Sequence, residues 1–306
     1  MKKLLILPIL FPIMANAEVL SLEDALRATY TACVGIDDEL ADMKKMAGIN
    51  TAVTAVGTAA GAGATVVGIV KANKDSQAKE KFDDYINSKP RRAVDKKELQ
   101  AFFDGWKDYS WEGEREFREL REDSKTLGNW RTGLMAGNAA TNIAGAIIAG
   151  NNKVDEDLKT QINNCKDAVK KLKDASQQAR ADGIDISEAN EIISACSEYN
   201  YIDSDVSKVN DMAKGAMISS IVGATTGVAG TVTSAVANSE SIRMDESVQK
   251  KTEEDWETEK NWNTAANVLA GTSTVASGVA TVFNASQRSA IKKVAAVSSK
   301  CTEVLK

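Results

Sequence analysis

Four cysteines, Cys33, Cys165, Cys196 and Cys301, are the residues whose type and spacing could do chemistry, and the chemistry they suit is disulfide formation. The chain opens with Lys2 and Lys3, an apolar run from Leu4 to Met14, and Ala15-Asn16-Ala17 ahead of Glu18. That is the pattern of a secretory leader over residues 1–17 with an A-x-A cleavage site. The run is too short to span a bilayer, and no cysteine follows it to accept a lipid. An even cysteine count in an exported chain implies disulfides rather than nucleophiles or zinc ligands.

Other catalytic candidates are few. The chain has no histidine, which removes the commonest general base and the commonest metal ligand. No G-x-S-x-G, S-x-x-K or phosphate-binding glycine loop occurs. Asp182-Gly183-Ile184-Asp185-Ile186-Ser187 imitates the middle of a calcium loop, but the register that fits Asp182 puts Gln178, Arg180 and Ala189 at three ligand positions. Gly183 reads better as the end of one helix, with Asp185 or Ser187 capping the next. Glu114, Glu116, Glu119 and Glu122 alternate with Arg115, Arg118 and Arg121 at spacings of four, the mark of a solvated helix face laced with ion pairs. No catalytic, cofactor-binding or metal residue is nominated, and an enzyme is not expected.

The elements that must position the cysteines are four stretches without charge: 47–70, 133–152, 215–239 and 263–287. If Cys33 meets Cys165, residue i lies opposite residue 198 minus i, which sets the first stretch against the second. Pairing Cys196 with Cys301 sets the third against most of the fourth. The expected disulfides are therefore Cys33–Cys165 and Cys196–Cys301, with Cys165–Cys196 and Cys33–Cys301 as the competing scheme. Only Pro90 stands beyond the leader, which permits long helices. Ser21-Leu22-Glu23-Asp24 is a capping box opening the first of them.

The halves repeat. At an offset of 166, Ile36-Asp37, Met46-Ala47, Val56-Gly57, Gly61, Thr65-Val66 and Val70 recur as Ile202-Asp203, Met212-Ala213, Val222-Gly223, Gly227, Thr231-Val232 and Val236, and Asn129-Trp130-x-Thr132 answers Asn261-Trp262-x-Thr264. So large a period is a duplicated domain, not a solenoid. We expect a first helical hairpin unit over 18–182, with a charged, aromatic-rich tip at about 75–128, and a second, shorter hairpin unit over 183–306. The tip holds Phe82, Tyr85, Phe102, Phe103, Trp106, Tyr109, Trp111 and Phe117 around a break at Lys89-Pro90. These rings suit a small local core, and Phe102, Phe103, Trp106, Tyr109 and Trp111 are the candidate partner-binding residues, since exposed Trp and Tyr make strong contacts.

In the first arm, Met46, Ile49, Val53, Val56, Ala60, Gly63, Val67 and Val70 form a heptad seam, with threonine and glycine standing where charges usually would. G-x-x-x-G at Gly57–Gly61, Gly133–Gly137 and Gly223–Gly227 resembles the glycine-zipper pattern of membrane helices and membrane-inserting toxins. Seven Val and Ile give the first arm only about −2 to −4 kcal/mol towards insertion, so the sequence favours a soluble core over arms that enter a membrane. The formal charge of −5, about −7 without the leader lysines, disfavours nucleic acid. The resulting expectation is all-α: two duplicated antiparallel helical hairpins packed as an elongated helical bundle, disulfide-closed at one end. It would be exported, periplasmic or secreted, without cofactor, and would bind a protein partner or serve a structural role. The competing expectation is a membrane-active or pore-forming protein.

Overall fold

A computed structural model describes residues 20–88, 114–246 and 253–306. The leader, the Lys89-Pro90 break and Phe102, Phe103, Trp106, Tyr109 and Trp111 lie outside the described residues. The described chain is a bundle of long helices packed together, with no strand among the described residues. In chain order these are α1 (Leu22–Cys33), α2 (Ile36–Ser88), α3 (Glu114–Asn151), α4 (Glu156–Ala181), α5 (Ser187–Cys196), a short 3-10 turn (Ser197–Tyr201), α6 (Asp203–Glu246) and α7 (Glu253–Val304).

Local chemistry sets the breaks. The Ser21 hydroxyl accepts the Asp24 N–H at 3.1 Å and starts α1, and the Asp155 carboxylate accepts the Leu158 N–H at 2.9 Å to start α4. Gly35 and Gly183 adopt φ of 96° and 76°, left-handed values that a residue without Cβ tolerates. Gly183 ends α4, and Asp185 accepts the Ser187 N–H at 3.0 Å ahead of α5.

The chain divides into two compact units that cut across both repeats: residues 20–40, 155–204 and 293–306 form unit one, and residues 41–154 and 205–292 form unit two. Unit one is built as water-soluble helices are. Ile36, Leu40, Leu158, Ile162, Leu172, Ile192 and Ile202 are buried, while Lys170, Lys171, Lys173 and Asp174 of α4 face outward. Both expected disulfides are present there, Cys33–Cys165 and Cys196–Cys301. They lie side by side, with the Sγ atoms of Cys33, Cys165 and Cys301 within 4.8 Å of one another.

Unit two packs the uncharged arms of α2, α3, α6 and α7. The register follows the mirror rule to within a residue: a Cβ on Gly57 would meet the Thr141 hydroxyl, one on Gly145 would meet Thr54, and one on Gly68 would meet Arg131. Gly61 faces Thr274 of α7, Gly227 faces Ala139 of α3 and Gly215 faces Phe283 of α7. Each helix thus has two neighbours in the ring.

Candidate functional site

The buried positions of unit two recur every three and four residues along each helix, and in the arms small and polar side chains occupy them. On α2 they are Ala47, Asn50, Thr54, Gly57, Gly61, Ala64 and Gly68; on α7 they are Asn263, Ala266, Ala270, Ser273, Ala276, Ser277, Ala280, Asn284 and Gln287. Half of the expected apolar seam is turned outward instead: Met46, Ile49, Val56 and Val70 are exposed, Val56 at 60%, while Val53, Ala60, Gly63 and Val67 are half-buried. Side chains this small allow the backbones to close on one another, and a Cβ on Gly61 would lie 2.6 Å from Thr274 Oγ1. Thr54 is the one β-branched residue among these α2 positions, and the valines and isoleucines of the arm lie off this row.

Hydrogen bonds link the axis in layers, while Asn50 Oδ1, Asn142 Oδ1, Ser220 Oγ and Gln287 Oε1 are buried there without a hydrogen-bond partner among the described residues. At one rim Gln287 donates to the Asn152 carbonyl, and Asn152 donates to the Met43 carbonyl at 3.1 Å. Next, Asn50 donates to Asn284 at 2.9 Å and Asn284 to Thr54 at 3.3 Å. Asn142 donates to Ser277 at 2.7 Å and to Asn138 Oδ1 at 3.0 Å, while Ser273 donates to the Gly223 carbonyl at 2.7 Å. Ala64, Met135 and Ala270 interrupt this with one apolar layer. Beyond it the fully buried Arg131 spends three donors on Ser234, Asn263 and Asn267 at 2.8, 2.9 and 3.2 Å.

A buried ion cluster follows. Lys71 pairs with Asp75 at 2.6 Å and lies 3.6 Å from Glu259; Arg121 reaches Glu259 at 3.2 Å and Asp75 at 3.4 Å. Ser124 and Asn263 also donate to Asp75. Arg121 stacks 5.3 Å over the Trp256 ring, and Trp256 packs with Ala78, Phe82, Phe117 and Leu120. Two of the tip aromatics therefore share a core with the second hairpin, so the base of the tip is not a separate local core. Its charged partners escaped the sequence reading because an isolated Lys71 or Glu259 looks like surface; the available signal was that Lys71, Asp75, Ala78 and Phe82 continue the three-four spacing of Ala64 and Gly68.

The outer face is the reverse of the axis. Every exposed residue over 46–70, 133–150, 215–237 and 264–287 is Gly, Ala, Val, Ile or Met, apart from three threonines. Those three, Thr225, Thr264 and Thr272, each donate to a carbonyl of their own helix at 2.8–2.9 Å. Trp130 and Trp262, equivalent in the two halves, stand exposed at 66% and 39% where the arms of α3 and α7 begin. A shallow apolar groove of about 600 Å³ runs between α6 and α7, lined by Ile218, Val222, Val268, Val275 and Val279.

Of the residues singled out from sequence, the four cysteines are brought together and the five tip aromatics lie outside the described residues. The chain matches no known protein family, no curated protein and no solved structure.

Proposed function

We propose that this is an exported, non-enzymatic, membrane-active protein whose unit two sits in a lipid bilayer. The observation that carries the reading is the inverted side-chain distribution: small and polar groups on the axis, and outside it a belt of mostly Val, Ile and Ala broken by Thr225, Thr264 and Thr272. Water would favour the opposite arrangement, because burying the valines and isoleucines would gain roughly 1.5–3 kcal/mol each. In hydrocarbon that gain vanishes, and helices associate through small residues and interhelical hydrogen bonds.

Supporting features agree in scale. The first arm runs 24 residues, about 36 Å of helix at 1.5 Å per residue, against a hydrocarbon core of about 30 Å. Leu22–Asp84, Asp203–Ser239 and Glu254–Val304 are long and apolar enough to cross a membrane, and only 28% of the most apolar window of the first is buried. Trp130 and Trp262 stand where an aromatic belt would lie. Unit one, with its apolar core and both disulfides, suits an aqueous, oxidising compartment.

Flotation of the mature protein with phosphatidylcholine vesicles tests the reading, alongside release of entrapped dye. Co-flotation that survives alkaline carbonate is the expected result. Protein that stays at the bottom of the gradient as a soluble monomer or defined oligomer would overturn it.

A further inference from the structure

We propose that Lys45, Lys153, Lys214 and Arg288 form a cationic collar that binds the phosphates of anionic phospholipids at one rim of the apolar belt. The proposal rests on the membrane reading above. On leaving the uncharged stretches at this rim, these are the first charged residues met: Lys45 before the arm of α2, Lys153 after α3, Lys214 before the arm of α6 and Arg288 after the arm of α7. All four are exposed.

They share one level of unit two. A Cβ on Gly48 would lie 3.6 Å from the Arg288 guanidinium, and one on Gly150 would lie 3.3 Å from Met217 Sδ. Asn152 joins Met43 and Gln287 through the hydrogen bonds already described, and the Val154 N–H donates to Asn210 at 2.8 Å. The four cations therefore come from four chain segments that meet around the bundle, where the apolar surface stops.

None of the four forms an ion pair among the described residues, although the exposed Asp42 and Asp211 stand three residues before Lys45 and Lys214 on the side away from the belt. The opposite rim is different, because its first charges on α2 and α3, Lys71 and Arg131, are fully buried and already engaged. Exposed lysine and arginine at the boundary of an apolar belt are positioned to meet lipid phosphates, and basic residues at a membrane surface each contribute about 1 kcal/mol with anionic lipid, close to fivefold in partitioning.

The test uses the mature, disulfide-bonded chain and measures partitioning onto vesicles of phosphatidylcholine alone and of phosphatidylcholine with phosphatidylglycerol. The protein should bind the anionic vesicles more tightly, with the excess shrinking in high salt. The combined variant K45Q/K153Q/K214Q/R288Q should lose that excess, by about two orders of magnitude or more, while keeping its partitioning onto phosphatidylcholine. Neutralising Lys170, Lys171 and Lys173 of unit one should leave the excess largely in place, which separates a collar from net charge. Equal partitioning of the unaltered protein onto both vesicles overturns the collar and leaves the membrane reading standing; so does an excess that survives in the combined variant. Failure to partition onto either vesicle overturns both.

Discussion

Gly61 and Gly137 sit in the same sequence motif and have opposite surroundings. A side chain at Gly61 collides with Thr274 and Asn138, whereas a Cβ at Gly137 meets nothing within 4 Å. Gly61→Leu should therefore destabilise by roughly 1–3 kcal/mol through overpacking. Gly137→Ala should stabilise by about 0.5–1 kcal/mol, because it removes backbone freedom at an open helical site; thermal unfolding of both variants reads the contrast. In unit one, burial pushes the Tyr199 phenol up to about 12. The raised value means that folding favours the neutral phenol, so its contribution is full below pH 10 and is lost as pH climbs through 12. Tyr199→Phe should show a smaller loss of stability than the unaltered protein between pH 10 and 12, measured by denaturant unfolding at each pH. The cysteine pairing was legible at this scale because the charge-free arms supply a register. The competing pairing arose because the linker returns the chain to the same end of the bundle, where the sulfurs of Cys33 and Cys301 do come close.

Among the elements, the existence and antiparallel pairing of the long helices were readable, but the facing of the first arm was not. Two rows on α2 share a three-four spacing, one starting at Met46 and the other at Ala47. They differ by one residue, a rotation of about 100°. The usual rule puts the more apolar row inside; here backbone closeness and the Asn–Ser–Thr network select the small, polar row. The ion cluster makes a second point about elements. A variant lacking residues 75–124 removes Asp75, Arg121 and Ser124 together with Phe82 and Phe117, leaving Lys71, Glu259 and Trp256 without partners they hold in the fold. Loss of one side of a buried ion pair costs about 3–5 kcal/mol, so this variant should melt markedly lower. Removing only 89–113 behind a flexible linker should preserve the cluster and most of the melting temperature. Matching melting temperatures for the two deletions would show that the cluster contributes little.

For the molecule as a whole, one chain carries two kinds of interior: mainly apolar in unit one, mainly small and polar along the arms of unit two. Composition could not separate them, because Val, Ile, Asn and Ser are counted alike whichever way they face. Both disulfides belong to unit one, and non-reducing peptide mapping should find Cys33 joined to Cys165 and Cys196 to Cys301; a Cys165–Cys196 peptide would contradict the fold. The central claim, that lipid covers unit two, is tested most directly by nitroxide labelling. The chain has no free cysteine, so single cysteines can be introduced at the outward Val56, Val232 and Val275 and, for comparison, at Lys170 of unit one. In vesicles, the account predicts that the three outward labels are relaxed by oxygen and shielded from a water-soluble nickel chelate, while the label at 170 shows the reverse. Labels at 56, 232 and 275 that are freely relaxed by the nickel chelate in the presence of vesicles would contradict it.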